Sequence, residues 1–186
     1  MPNLLAALLA FLQLVLPLLS PQVLTERLRS GEWLRFHVIA QDDTQEMQRV
    51  KLCVRDAVQE SFRKSRPAAA SMRTQAEAIL PELTQAAEAA ARNEGFTGRV
   101  EVLLEVLPFD DRELNSIPVP AGDYPALVIR LGDAQGRNWW GLLDPALSQL
   151  FTQVPSTADE PDLIWDWSLQ ALLSALLGLS MTAEGA

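Results

Sequence analysis

Apolar residues are spaced differently in successive parts of the chain: first in a continuous run, then at alternate positions, then at helical intervals. Residues 4–24 contain no charged side chain, and Gln13, Pro17, Ser20, Pro21 and Gln22 are the interruptions in an otherwise apolar run. The run is long enough for a signal peptide or a short membrane anchor. Residues 1–25 are therefore assigned to one of these two, with a buried amphipathic helix as the bland alternative. No Lys or Arg precedes the run and no small-x-small cleavage pattern ends it. The choice between signal and anchor stays open.

Residues 33–40 alternate as a strand. Leu34, Phe36 and Val38 fall on one face, and Trp33, Arg35, His37 and Ile39 on the other. His37 is expected to point to solvent or to a second layer. Asp43, three residues before Glu46, reads as the N-cap of a helix. Met47, Val50, Val54, Ala57, Val58, Ser61 and Phe62 then recur at helical spacing, with Arg49, Gln59 and Arg63 opposite. Residues 71–93 form a second helical stripe that Pro81 should kink or split, and Gly95 is placed to stop it. Residues 99–107 alternate again, with Val100, Val102, Leu104 and Val106 inward and Arg99, Glu101 and Glu105 outward. Pro108 is expected to end that strand, and residues 109–120 read as an acidic loop.

Residues 120–143 complete the pattern. A Pro-Ala-Gly-Asp-Tyr turn leads into an apolar run centred on Val128 and Ile129. A loop punctuated by Gly132 and Gly136 follows, and the chain returns through Trp139 and Trp140. This predicts a β-hairpin. The two indoles face opposite sides of their strand, so one is expected in the core and the other exposed for contact. Beyond it, residues 151–161 read as an acidic linker and residues 162–180 as an apolar helix. In that helix Asp166, Gln170, Ser174 and Gly178 draw one narrow polar stripe. It could pack on the domain, lie in a membrane interface beside Trp165 and Trp167, or join a partner's helices. The fold class is α+β, a single small domain over residues 33–150 in the order strand, helix, kinked helix, strand, hairpin.

Composition narrows the functional choices. The net charge is −9, which argues against nucleic acid as a partner. From Glu101 onward there are 13 acidic and 3 basic residues, so that half carries −10 and the rest about +1. The single cysteine, Cys53, permits neither an intrachain disulfide nor a thiolate metal cluster. Its place inside a helix suggests a small packed side chain. No Gly-rich phosphate loop and no Gly-x-Ser-x-Gly elbow is present. Asp110, Asp111 and Glu113 read as solvated charge rather than as a metal site. The one histidine, His37, lies near Asp42 and Asp43, which leaves open a hydrolase with His37 as general base. Arg55 and Asp56, beside the buried stripe of their helix, read as an ion pair or as partner contacts.

Two separated stretches carry a resemblance. RFHVIAQDD followed by KLCVRDAV, and PAGDY followed by RLGDAQGRNWW, resemble the signatures of the stage II sporulation protein R family. The likeness covers about residues 33–147. Matching positions are Arg35, His37, Val38, Ile39 and Ala40, then Lys51, Val54, Arg55, Asp56, Ala57 and Val58. In the second stretch they are Pro120, Ala121, Gly122, Tyr124, Ala126, Gly132, Gly136, Asn138, Trp139 and Trp140. The chain departs from the family at Gly141 and Ser148, where cysteines are common, at Asp144-Pro145, and at Pro108-Phe109. A local crosslink is thus expected to be dispensable here.

The resemblance implies an exported sporulation signal, made in the forespore and acting between the two membranes that separate it from the mother cell. It would activate a membrane-embedded aspartic protease that processes pro-sigma-E. It implies no catalysis, no cofactor and no metal. The expected partner-contact residues are Arg35, His37, Arg55, Asp56, Asn138, Trp139 and Trp140, with membrane contact through the apolar termini. Two other readings are an envelope hydrolase using His37 with Asp42 or Asp43, and a non-enzymatic structural module of the envelope.

Overall fold

The computed structural model describes residues 20–65, 71–114 and 117–147. Residues 1–19, the 151–161 linker and the 162–180 helix lie outside the described residues. Among the described residues, no helix is long and apolar enough to cross a membrane.

Helix α1, Pro21–Ser30, starts inside the uncharged run, four residues before the expected end of the 1–25 segment. Ser20 is its N-cap, with Oγ accepting from Val23 N, and Pro21 occupies the first turn, where a missing N–H costs nothing. Leu24 and Leu28 are buried in the core. Residues 21–25, the end of the expected 1–25 segment, therefore form the first turns of a helix that packs on the core.

Strand β1, Arg35–Ile39, leads into α2, Gln45–Lys64. The cap of α2 is Thr44 rather than Asp43, its Oγ1 accepting from Met47 N. Asp43 is engaged elsewhere, accepting from Arg137 N at 2.6 Å. The second helical stripe is split at Ile79 into α3, Met72–Ala78, and α4, Leu80–Asn93, with Pro81 in the first turn of α4. Gly95 ends α4 with φ 82°, and Gly95 N and Phe96 N donate to Arg92 O and Ala91 O. The stripes of α2 and α4 (Val50, Val54, Val58, Phe62, Leu83, Ala87, Ala91) share one core with Phe36, Val38, Leu127 and Ile129.

Strand β2, Val100–Phe109, runs through Pro108, which stays in register with Asp123. It does so because β2 lies at the edge of the sheet, where a missing N–H breaks no ladder bond. Val106, expected inward, is 56% exposed. The expected acidic loop contains a two-stranded ribbon of β3, Arg112–Leu114, and β4, Ile117–Val119.

The largest correction concerns the expected hairpin. Strands β5, Gly122–Leu131, and β6, Asn138–Leu142, do not pair, and the sheet order is β2-β5-β1-β6. β1 lies between them, parallel to β5 and antiparallel to β6. The loop 132–137 is long enough to step over one strand, a gap of about 10 Å. After one local turn, Ala134 N to Leu131 O, its backbone bonds outward to the turn after β1. With partners on both sides, β1 is buried on both faces: Arg35 is 5% and His37 6% exposed. The second layer over His37's face includes α1 at one end, where Leu28 lines a crevice with Arg35, Phe109, Tyr124 and Trp140.

Candidate functional site

The two signature stretches fold into one joint. Gly136 N donates to Ala40 O at 2.9 Å and Gln135 N to Gln41 O at 3.0 Å. Lys51 Nζ donates to Arg137 O and to Gln48 Oε1. A Cβ on Gly136 would overlap the backbone of Asp42, and one on Gly132 (φ 56°) would overlap the Gln41 side chain. Gly136 is needed for close approach between distant parts of the chain, and Gly132 for its left-handed backbone.

The expected contact residues are brought to two faces of the β1–β6 pair. Opposed residues of paired strands share a face, so the register sets His37 beside Trp140 and Val38 beside Trp139. On the first face, Arg35 Nη2 lies 2.8 Å from His37 Nε2, and the Asn138 amide, placed with Nδ2 inward, lies 2.8 Å from His37 Nδ1. A guanidinium can only donate, so Nε2 accepts and the ring is neutral with its proton on Nδ1. Two donors cannot both serve a neutral imidazole, so the Asn138 amide is assigned flipped, with its oxygen accepting from Nδ1–H. Arg35 also stacks on Phe109, 4.1 Å from the ring centroid. Phe109 meets Trp140 and Tyr124 edge to face, at 5.9 Å each.

On the second face, Trp139 packs edge to face on Phe36 at 5.6 Å and lies under the Arg55 guanidinium, 5.1 Å from its centroid. Arg55 Nε pairs with Asp56 Oδ1 at 2.7 Å, and Asp56 is 63% exposed at its side chain. The prediction of one core and one exposed indole is thus corrected. Trp139 and Trp140 are both half-buried, each seated on an aromatic ring of its own face.

Helix α2 lays a stripe along the outer edge of β6. Lys51 reaches Arg137 O at one end, Gln59 Nε2 donates to Leu142 O at 3.0 Å at the other, and Arg55 stacks between them. Gln59, expected on the solvent face, is only 7% exposed for this reason. Its polarity concealed it in the sequence, although the four-residue steps from Lys51 to Arg55 to Gln59 mark one helix face. Phe109 was concealed by its place after Pro108.

The pairing of His37 with Asp42 or Asp43 is not formed. Thr44 donates to Asp42 Oδ1 through its hydroxyl, at 2.6 Å, and its backbone N–H, at 3.0 Å; both bonds hold the Asp42 carboxyl below its ordinary range. Asp43 accepts from Arg137 and Gln48. Among the described residues, no group of three or more His, Cys, Asp or Glu is placed to hold a metal ion. What these residues assemble is two sets of stacked aromatic rings, a guanidinium group held against each, and an exposed carboxylate.

Comparison with known proteins agrees with the signatures. The family model of stage II sporulation protein R matches residues 30–153. Stage II sporulation protein R of Bacillus subtilis (strain 168) is 29% identical over 117 residues, which cover 61% of this chain and 52% of that protein. The chain therefore spans about half the length of the curated relative it matches. No solved structure matches. The family match runs from the end of α1 past β6 and includes both halves of the joint, so the chain belongs to the stage II sporulation protein R family.

Proposed function

We propose that this sporulation protein is an exported signal that activates, by direct contact, the membrane-embedded aspartic protease that processes pro-sigma-E. In this reading it acts in the space between forespore and mother cell, catalyses nothing itself and needs no cofactor. The observation that carries the proposal is the stacking of Arg55 on Trp139 beside the exposed Asp56. The stack joins two signature stretches into a single preorganised patch, and Trp and Arg are the residue types that dominate binding hot spots. Residues 1–19 would supply the export signal or anchor.

The test is cleavage of pro-sigma-E in a non-sporulating host expressing the candidate protease with this chain and its own N-terminal segment. Processing should require the chain and should fall with Arg55→Ala or Asp56→Lys while the secreted protein stays folded. Processing that never depends on the chain, although it is exported and folded, would sink the proposal.

A further inference from the structure

The two outer strands of the sheet are treated differently. At β6 side chains of α2 reach both ends of the edge, with Gln59 on Leu142 O and Lys51 on Arg137 O just ahead of the strand, and Arg55 stacks on Trp139 between them. At β2 the edge is open among the described residues. Gly132 N donates to Arg99 O at 2.8 Å, which fixes the alternation of the antiparallel ladder. Odd-numbered residues of β2 bond to β5, and the N–H and C=O groups of Val100, Val102, Leu104 and Val106 point away from the sheet. Among the described residues, no hydrogen bond reaches these groups. The register from Val100 to Phe109 is continuous, without a bulge, and the outward row carries no lysine. Val106 is the exposed large hydrophobic side chain of the described residues. An unprotected edge of this length is a template for another strand.

We propose that β2 pairs antiparallel with β2 of a second copy of this chain about a two-fold axis at Leu104, joining two four-stranded sheets into one. The sequence VEVLLEVLP suits this register. Leu104 faces Leu104, Val102 faces Val106, and Val100 faces Pro108, so the missing N–H falls at the terminal pairs. Glu101 faces Leu107 and Glu105 faces Leu103. An axis at Leu103 would set Glu101 against Glu105 twice, and an axis at Glu105 would set that carboxylate on itself, both unfavourable. An axis at Val102 would carry Val106 beyond the start of the opposing strand. Within each copy Glu101 is paired with Arg99 and Glu105 with Arg130, which limits repulsion between two acidic chains. The contact is isologous and closed, so it ends at two copies. It is independent of the protease-activation reading.

The test is sedimentation velocity of the full chain over a micromolar concentration series, with hydrogen exchange of the 100–107 amides in the same samples. A pairing of two strands is small, so a reversible dimer of modest affinity is expected. The Val102, Leu104 and Val106 amides should gain protection as it forms. Val106→Pro removes one outward N–H without touching the β5 ladder, and Val106→Lys alters only an exposed side chain; each should weaken the dimer roughly tenfold or more. If the proline variant misfolds, the lysine variant decides. A wild-type chain that stays monomeric with these amides exchanging freely would leave the edge to a foreign strand and overturn the proposal. So would a dimer indifferent to Val106→Lys, or open-ended oligomers.

Discussion

The guanidinium of Arg55 lies 5.1 Å from the centroid of the Trp139 indole, tying the middle of α2 to the edge strand β6. A stack of this kind contributes about 0.5–1 kcal/mol at a partly exposed site. Arg55→Ala and Trp139→Ala, combined in a double-mutant cycle in urea, should show a coupling of that size. Trp139→Ala alone should cost about 3 kcal/mol, the low end of the aromatic-to-alanine range, because the ring also packs on Phe36 but is only half-buried. Asp56→Asn should change stability by less than about 0.5 kcal/mol, since its partner is a neighbour and its carboxylate is exposed. Zero coupling between Arg55 and Trp139 would mean that the stack does not persist in solution.

His37 is held between a donor that can never accept, Arg35, and an amide that can do either, Asn138. The ring should therefore appear in long-range proton–nitrogen spectra as the Nδ1–H tautomer. Asn138→Asp keeps an acceptor for that proton and should be tolerated, whereas Asn138→Ala should cost about 1 kcal/mol. An Nε2–H tautomer, or an aspartate variant weaker than the alanine variant, would contradict the assignment.

The helices were legible because their evidence is local: a 3.6-residue period along α2 and α4, broken just before Pro81 and stopped by Gly95. Sheet order is not local. Two strands joined by a glycine loop read as a hairpin, and nothing within residues 126–142 reveals that β1 is inserted between them. Residues that mark β1 as central, Arg35 and His37, disguise it as a strand with a solvent face. They are engaged by Phe109, Asn138 and each other, partners far along the chain or across a sheet. Pro108 misled for the converse reason, since its tolerance in β2 depends on an edge position that only the assembled sheet defines. The start of α1 was readable: Ser20-Pro21 is a cap followed by a first-turn proline, masked by the apolar run around it. The signature residues themselves were found, but not their division between two faces, which follows from the β1–β6 register.

Gly136 and Gly95 separate two uses of glycine. Gly95 needs its positive φ but has open space around it, so Gly95→Ala should cost only the left-handed penalty, about 1 kcal/mol. At Gly136 a Cβ would overlap backbone atoms of Asp42, which cannot swing aside as a side-chain end can. Gly136→Ala should therefore cost more, about 2–3 kcal/mol, and should loosen the joint between the two signatures. Urea midpoints give the comparison directly, and equal costs would show that the loop 132–137 yields without strain.

Cys53 tests the surroundings of α2 from its other side. Burial, reinforced by the carboxylate of Glu94, raises the thiol's pKa above its ordinary value, with Arg49 opposing weakly. The thiolate is the nucleophile, so a raised pKa lowers the reactive fraction at neutral pH and shifts the rise in alkylation rate to higher pH. Iodoacetamide should label native Cys53 more slowly at pH 7.5 than the same chain in denaturant. Glu94→Gln removes a negative neighbour and should move the rate profile back toward lower pH. Arg49→Ala removes the one opposing charge and should move it further up. A native rate equal to the denatured one, or a Glu94→Gln profile displaced upward, would mean that Cys53 does not sit against Glu94 in the folded chain.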